Sequence, residues 1–514
     1  MRRLLLATLA MLALAPGLSA LGLSVPAAFA QTGPQNLRIA LREDPDTLDP
    51  TLARTYVSRI VFSSLCDKLF DIDENLQVVP QLALSYEWTT PAELLIKLRP
   101  NVQFQDGTTM DAAAVKYSLE RHLTMQGSFR RSEINAMDHV DIVDPLTVRI
   151  ALKAPSSPFL AQLTDRAGMV MSPKAAEAAG KEFGLHPVCA GPFRFVERVP
   201  QDRIVLERFP QYWNAGAIHV DRVTFLPIPD SSVRLANLQA GGIEMSEYIV
   251  PTDVDAVTKD PKLRMAVSDS LGFQTIGFNI DNGTKAKTPI GTDARVRKAF
   301  ELSIDRGALL QVVYNGLYAP TAQGISPTSP YYDKAMQPQG RDVAAAKALL
   351  KAAGVSAPVV VNLTVPNNPD LRQAGEVIQS MAQEAGFEVR ITASEYASAL
   401  SAANRGDFEA FLTAWSGRVD PDGNLWSFLH TGGALNDSHY SNATVDTALD
   451  HARDTADVGQ RRDLYAQMFA QEAKDLPILY LWQLKNLVGM SAKVSGFRPI
   501  ADGMIRLQDV MLAK

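Results

Sequence analysis

The chain has 514 residues, of which 46% are hydrophobic, 7% aromatic and 21% charged, and its formal net charge at pH 7 is −6. This composition excludes intrinsic disorder, and the acidic balance argues against a surface that binds nucleic acid, which must be basic. The length exceeds what one hydrophobic core usually supports, so two or more domains are expected.

The N-terminus has the pattern of a secretory signal peptide. Two arginines precede the apolar run "LLLATLAMLALA", and the segment "AFA" that ends at Ala30 is a small-x-small cleavage site. We therefore predict a signal peptide over residues 1–30, a mature chain beginning near Gln31, and a periplasmic location. The arginine pair leaves export by the general or the twin-arginine route open. No later stretch is apolar for about 18 uninterrupted residues, so no membrane span is expected after the signal.

Predicted strands and helices alternate through the first half of the mature chain. Residues 37–41 alternate apolar and polar side chains as a strand does, and residues 56–70 have helical spacing. Asp111 is a natural N-cap for a helix that follows a strand at residues 94–98. The same criteria predict strands at 146–152, 192–199 and 203–209, and a helix from 231 that Gly241 ends.

The second half has the strand–helix–strand order of an α/β domain with parallel pairing. Its first strand is predicted at residues 273–280, and the change of character near residue 270 suggests a boundary between two lobes. Further strands are predicted at 359–365, 387–393 and 408–415, and helices at 293–316, 370–386, 445–456 and 461–476.

Catalytic and metal-binding motifs are missing from the sequence. There is no G-x-S-x-G elbow, S-x-x-K, H-E-x-x-H, G-x-G-x-x-G or Walker loop, and the seven histidines are scattered. The acidic segments "DIDENL" and "DPDGNL" lack the Gly and Glu of a calcium loop, so they are interpreted as turns with solvated carboxylates. We therefore predict no enzyme, no metal and no cofactor.

Cys66 and Cys189 are the two cysteines of the chain. An exported protein meets an oxidising compartment, where such a pair can form a disulfide. Two buried free thiols are the alternative.

Several segments together resemble the extracellular solute-binding proteins of peptide-type ABC importers, the dipeptide, oligopeptide and nickel-binding family. The segment "LRPNVQFQDGTTMDAAAVKYSLER" resembles the family signature, and "GPFRF" and "DARVRKAFELSIDR" resemble two further elements. The segment "SNATVDTALDHARDTAD" resembles the start of the C-terminal helical region, and the matches follow in order along the mature chain.

The resemblance implies a two-lobed α/β periplasmic binding protein of type II, with an extra subdomain inserted in lobe I and the ligand in the cleft between the lobes. By resemblance, lobe I comprises residues 31–70, 186–272 and 487–514, the inserted subdomain residues 71–185, and lobe II residues 273–486. A Cys66–Cys189 disulfide would then tie lobe I to the base of its inserted subdomain.

The implied function is capture of a small peptide, or of a peptide-like or anionic solute, by hinge closure. The partner would be the permease subunits of an ABC importer in the inner membrane, and the protein would act as a monomer without binding nucleic acid. A periplasmic hydrolase on the same scaffold, and a peptide-holding chaperone or chemoreceptor partner, are the alternatives.

The loop "TAWSGRVDPDGN" is the first candidate site, since Gly417, Pro421 and Gly423 disfavour a helix and the resemblance places this loop in the cleft. Trp415 is expected to stack on the ligand, with a place in the core as the alternative. Arg418 offers a planar fork suited to a carboxylate, unless it pairs with Asp420 or Asp422.

The charge anchors that dipeptide-binding relatives use are missing here. Gly417 stands where those relatives have an Asp, and "TVPNNPD" lacks the expected Arg. A free dipeptide is therefore a doubtful ligand. The remaining candidates for the cleft are Asp44, Arg54 and Tyr56 after the first strand, and Phe273 and Gln274 on the second crossing segment.

Overall fold

The computed structural model describes residues 35–513, so the predicted signal peptide lies outside the described residues. Among those residues, no helix has both the length and the apolar character that crossing a membrane requires.

Residues 35–513 form a mixed α/β fold around one sheet of 11 strands. Two long strands, Leu263–Phe278 and Ile478–Ser491, pair antiparallel in its middle and join its two halves, which belong to two lobes. In spatial order the sheet contains Phe387–Ser394, Val359–Pro366, Ala410–Trp415, Leu263–Phe278, Ile478–Ser491, Met245–Ser246, Asn36–Leu41, Arg222–Pro227, Arg203–Arg208 and Phe193–Val199, with Ala319–Pro320 beside Ile478–Ser491.

The first half of the chain also forms a separate antiparallel sheet, which belongs to the inserted subdomain. Its strands are, in spatial order, Ala83–Thr90, Glu93–Leu98, Thr147–Leu152 and Met137–Asp144. The helix Ala112–Thr124 packs against this sheet and begins as predicted, because the side chain of Asp111 accepts a hydrogen bond from the amide of Ala114. Two short strands that precede this sheet in the chain, Phe70–Ile72 and Val78–Pro80, pair with each other.

Three large hydrophobic cores correspond to these parts. The core of lobe I contains Ile39, Phe62 and Val488. The core of the insert contains Phe104 and Ile150. The core of lobe II packs the helix Pro369–Glu384 against one face of the parallel strands, and it extends into residues 238–263. The exact domain boundaries given above remain a prediction.

Each helix predicted from the sequence is present, and the structure also contains helices that the sequence patterns above do not predict. The α-helices are Tyr56–Leu65, Ala112–Thr124, Arg131–Ile134, Phe159–Gln162, Pro173–Ala179, Ser231–Ala240, Val254–Lys259, Pro289–Thr292, Ala294–Ser303, Arg306–Tyr314, Val343–Ala352, Pro369–Glu384, Tyr396–Asn404, Asp422–Leu429, Ala443–Asp454 and Val458–Asp475. The helix that starts at Ser231 ends where Gly241 adopts a left-handed conformation, as expected.

Three predicted segments differ from the structure. The strand expected over residues 273–280 is part of the longer strand Leu263–Phe278. The helix expected over residues 56–70 ends at Leu65, because Cys66 is extended and is covalently bonded to Cys189. The disulfide expected from the sequence is thereby confirmed. The loop was expected to run through Asn424, but it ends at Pro421, and Asp422 is the first residue of the helix Asp422–Leu429.

Candidate functional site

A cavity with mixed charge lies between the two lobes, and we call it the polar chamber. Its wall combines Arg42 and Glu43 at the end of the first strand, Gln274 on a crossing strand, and Asp370 and Trp415 from lobe II. The space within these walls is about 950 Å³, including the part that is open to solvent. Residues from both lobes therefore line one cavity.

A second cavity adjoins the first, and we call it the apolar chamber. It encloses about 850 Å³ on the same basis, and Phe273, Leu400, Phe411 and Phe428 are among its walls. The two chambers share four lining residues, Arg54, Tyr396, Ala414 and Trp415.

Trp415 lies at the junction of the two chambers. It is the last residue of the strand Ala410–Trp415, in register with Phe273 of the crossing strand. Its indole Nε1 donates a 2.9 Å hydrogen bond to Asn424, and Phe428 packs edge-on at 4.8 Å between ring centroids. The ring is therefore held in place from the protein side and lines both chambers.

Arg418 lies elsewhere than the sequence suggested. It is buried behind Trp415, with its guanidinium carbon 4.4 Å from the indole centroid, and it lines neither chamber. Gly417 has φ +74° and packs so tightly against Leu271 that a Cβ would lie 2.2 Å from the Leu271 carbonyl oxygen. Burial lowers the pKa of Arg418 to about 10, beside the like charge of Arg59.

In the same loop Asp422 is buried and Asp420 is half-buried, and both carboxylates are paired with arginines. Asp420 accepts hydrogen bonds from both terminal nitrogens of Arg461, at 2.8 and 2.7 Å. Asp422 pairs with Arg453. The interpretation of this segment as a solvated turn is therefore wrong, and Arg418 pairs with neither carboxylate.

Four of the other predicted residues line the chambers. Phe273 lines the apolar chamber and Gln274 the polar one, where the Gln274 amide donates to the carbonyl of Thr413 at 2.8 Å. Tyr56 lines the polar chamber and donates to the carbonyl of Gly503 at 2.7 Å. Arg54 lines both chambers.

Asp44 lies outside both chambers. It is buried in lobe I, where Arg198 and the amide of Gln201 donate to its carboxylate at 3.0 and 3.1 Å. Asp44 therefore stabilises a neighbouring turn of its own lobe. The strand ends at Leu41, and the next two residues, Arg42 and Glu43, line the polar chamber.

Sequence reasoning missed the charged pair at the end of the first strand. Nε and Nη2 of Arg42 donate to the carboxylate of Glu247 at 3.0 and 3.3 Å, and the guanidinium carbon lies 4.4 Å from the ring centroid of Tyr248. Arg42 is thus fixed in orientation at the chamber wall. Its position directly after a strand was the signal that could have identified it.

Glu43, beside Arg42, has a different environment. Burial raises the pKa of Glu43 to about 8, more than the charge of Arg42 lowers it. The Glu43 side chain lines the polar chamber. Asp370 of lobe II also lines the chamber, and burial raises its pKa although Tyr248 donates to it at 3.2 Å. The chamber thus offers carboxylates as well as guanidinium groups.

The lobes contact each other directly around these chambers. Arg54 of lobe I forms a 2.6 Å ion pair with Asp437 of lobe II, and Asn368 of lobe II donates to the carbonyl of Arg42 at 3.1 Å. In the part of the chain that the structure describes, no group of three or more His, Cys, Asp or Glu side chains is arranged to hold a metal ion.

Comparison with known proteins identifies the relatives of this chain. Residues 77–436 match the bacterial extracellular solute-binding proteins, family 5, in their middle region. The glutathione-binding protein GsiB of Pectobacterium atrosepticum is 31% identical over 489 residues, which cover 93% of this chain and 94% of the relative.

Two solved structures show the same fold. The murein tripeptide binding protein MppA of Escherichia coli superposes with a TM-score of 0.86 at 22% identity, over 94% of this chain and 99% of that one. The ABC transporter-associated periplasmic binding protein DppA of Helicobacter pylori, in complex with the peptide STSA, gives a TM-score of 0.84 at 23% identity, over 93% and 98%.

Proposed function

The chain belongs to family 5 of the bacterial extracellular solute-binding proteins, and from this premise we propose that its ligand is a small peptide-like solute carrying both an ammonium and a carboxylate group. The protein would capture this solute in the periplasm and deliver it, as a monomer, to the permease subunits of an ABC importer. The observation that carries the proposal is the adjacent pair Arg42 and Glu43 in the wall of the polar chamber.

Glu43 is the proposed partner of the ligand ammonium. The Glu43 side chain is largely buried and lines the chamber, and its raised pKa reflects the cost of holding a negative charge there. An ammonium group would supply the compensating charge and hydrogen-bond donors to the carboxylate. Asp370 stands in the same chamber as a second acidic group.

Arg42 is the proposed partner of a ligand carboxylate. Two of its nitrogens are committed to Glu247, and the rings of Tyr56 and Tyr248 lie within 5.2 and 4.4 Å of the guanidinium carbon. A guanidinium has five donors in a planar fork, so donors remain for a carboxylate. Arg54 and Lys485 also line this chamber, and each is paired with an aspartate, Asp437 and Asp269.

The class of ligand agrees with what the relatives are named for. Glutathione, which the relative from Pectobacterium is named as binding, is a tripeptide with one ammonium and two carboxylates. We keep Trp415, Gln274, Tyr56, Arg54 and Phe273 as proposed contacts because each lines a chamber. Arg418 and Asp44 are proposed to support the site rather than to touch the ligand.

Capture would proceed by closure of the lobes. A ligand that touches Glu43 of lobe I and Trp415 of lobe II binds fully only when the lobes meet, so it shifts the population toward the closed form. The permease would then recognise the closed shape.

The test is native mass spectrometry of the mature protein purified without unfolding, followed by titration calorimetry with glutathione and short peptides. A bound peptide-like mass and saturable 1:1 binding of an unmodified probe are expected. At about 100 times its dissociation constant, such a probe should add about 2.7 kcal/mol to the free energy of unfolding. Cleavage of the probe would favour the alternative that the protein is a periplasmic hydrolase. Binding of unfolded chains, and of no small probe, would favour the alternative that it is a peptide-holding chaperone.

A further inference from the structure

The charged groups of the proposed ligand would bind Arg42 and Glu43 in the polar chamber, and these contacts do not fill the apolar chamber. Phe273, Phe408 and Phe411 in its wall are each at most 6% exposed, and Phe278 and Ile478 complete the same surface. Polar side chains also line it, among them Thr275, Asn424, Ser438 and the ion pair of Arg54 with Asp437. Water binds poorly against its aromatic and aliphatic surface, which offers no hydrogen-bond partners.

The apolar chamber adjoins the proposed ligand site. Trp415, Tyr396, Ala414 and Arg54 line both spaces, so the two spaces approach each other at the indole. The polar atom of the Trp415 ring is satisfied by Asn424. The ring therefore presents apolar surface to whatever passes it.

A glycine keeps the apolar chamber open. Gly277 lies in the crossing strand Leu263–Phe278 and lines the chamber, paired with Phe411 and Ile478 on its two sides. A Cβ built on Gly277 would meet no atom within 4 Å. The backbone there tolerates a side chain, and any larger side chain would occupy chamber volume.

From these observations we propose that the ligand is amphipathic. Its charged groups occupy the polar chamber, and an aliphatic or aromatic side chain passes Trp415 into the apolar chamber. The inference rests on the proposed function and narrows it from peptide-like solutes to those that carry a large apolar substituent. Phe273 and Phe411 would then select the ligand by size and apolar character.

The test compares probes that differ in one apolar group, by titration calorimetry on the mature protein. The pairs are glutathione with S-benzylglutathione, and Ala-Ala-Ala with Ala-Phe-Ala. The substituted member of at least one pair should bind about tenfold more tightly or better, as expected for burying one aromatic ring.

Gly277→Leu provides the matched variant, since it fills the apolar chamber and leaves the polar one untouched. It should remove the preference for the substituted probe and retain binding of the unsubstituted probe within about threefold. Gly216→Leu is the control, because Gly216 is exposed and its added Cβ also meets no atom within 4 Å.

The outcomes separate the two proposals. Equal binding of both members of each pair would overturn the apolar substituent and leave the proposed function standing. If none of the four probes binds, both proposals fall. Should Gly277→Leu not fold, judged by its melting transition, the comparison of probe pairs on the unmodified protein still decides the inference.

Discussion

Nε of Arg418 in lobe II lies 3.4 Å from a carboxylate oxygen of Asp165 in the inserted subdomain. The same carboxylate accepts a 2.8 Å hydrogen bond from Nε of Arg59 in lobe I, so one buried anion joins three parts of the molecule. Although burial alone would raise it, the charges of Arg418 and Arg59 hold the pKa of Asp165 well below 3.8. Because the pKa of Asp165 is lower in the folded than in the unfolded state, its ionised carboxylate stabilises the fold at pH values above 3.8. This stabilisation is lost as the pH falls through the lowered pKa.

Asp165→Asn is expected to destabilise the protein by about 3–5 kcal/mol at pH 7, because it leaves buried guanidinium groups without a counter-charge. Urea unfolding measures this effect. A change in the free energy of unfolding below about 1 kcal/mol would contradict the proposed role.

Arg418→Met distinguishes a supporting role from ligand contact. The substitution keeps much of the apolar packing behind Trp415 and removes one of several neighbouring cations. Affinity for a carboxylate-bearing probe such as glutathione should change by less than about threefold, well under 1 kcal/mol. A loss of about thirtyfold or more would instead restore the sequence-based expectation that Arg418 faces the ligand.

Local chemistry determined the parts of the fold that could be predicted. Asp111 caps its helix, Gly241 ends another, and the strand that ends at Trp415 was placed within two residues at its start, because each depends on side chains nearby in the sequence. The long strand Leu263–Phe278 was predicted only from residue 273. Its first residues pair with a partner more than 200 residues away, which no local pattern encodes.

The candidate site was predictable only in part for the same reason. Trp415 follows a strand and belongs to a conspicuous loop, so sequence reasoning found it. Glu43 lines a chamber whose other walls include residues more than 300 positions later. The burial that raises its pKa emerges only when those segments meet. Arg418 misled because the turn at Gly417 buries the residue that follows it.

Trp415→Ala should cost about 2 kcal/mol of binding free energy, which is roughly thirtyfold in affinity, because it removes the wall between the chambers. Trp415→Phe is the matched control, since it keeps an aromatic face and loses only the hydrogen bond to Asn424. The affinity of Trp415→Phe for the ligand should lie between that of the unmodified protein and that of Trp415→Ala. Equal affinities for all three proteins, measured by calorimetry, would show that the ligand does not touch this ring.

Removal of the disulfide should lower stability and leave ligand affinity unchanged. Cys66 and Cys189 are 123 residues apart in sequence, and neither lines a chamber. The chain-entropy account of a loop of this length predicts a loss of about 5 kcal/mol, within a measured range of about 2–5. Urea unfolding of the Cys66→Ser, Cys189→Ser double variant tests this. A tenfold loss of affinity in the still-folded variant would show that the bond also shapes the site.

Glu43→Gln should affect binding and stability in opposite directions. The pKa of Glu43 is raised from 4.5 to about 8 in the ligand-free protein, so the folded state loses stability as the pH rises from about 4.5 to about 8. A neutral amide avoids that loss, and the ligand-free variant should therefore melt at a higher temperature than the unmodified protein at pH 7.5. Near pH 4 the two proteins should differ less.

Binding of an ammonium-bearing probe requires the Glu43 carboxylate, so the unmodified protein must release a proton when it binds below pH 8. Its affinity should rise between pH 6 and pH 8, by at most about tenfold per pH unit. Glu43→Gln should bind more weakly at pH 8 and lose this pH dependence. Calorimetry in two buffers of different ionisation enthalpy counts the released proton directly. An identical pH slope in both proteins would exclude Glu43 as the ammonium partner and would leave Asp370 as the acidic group to test.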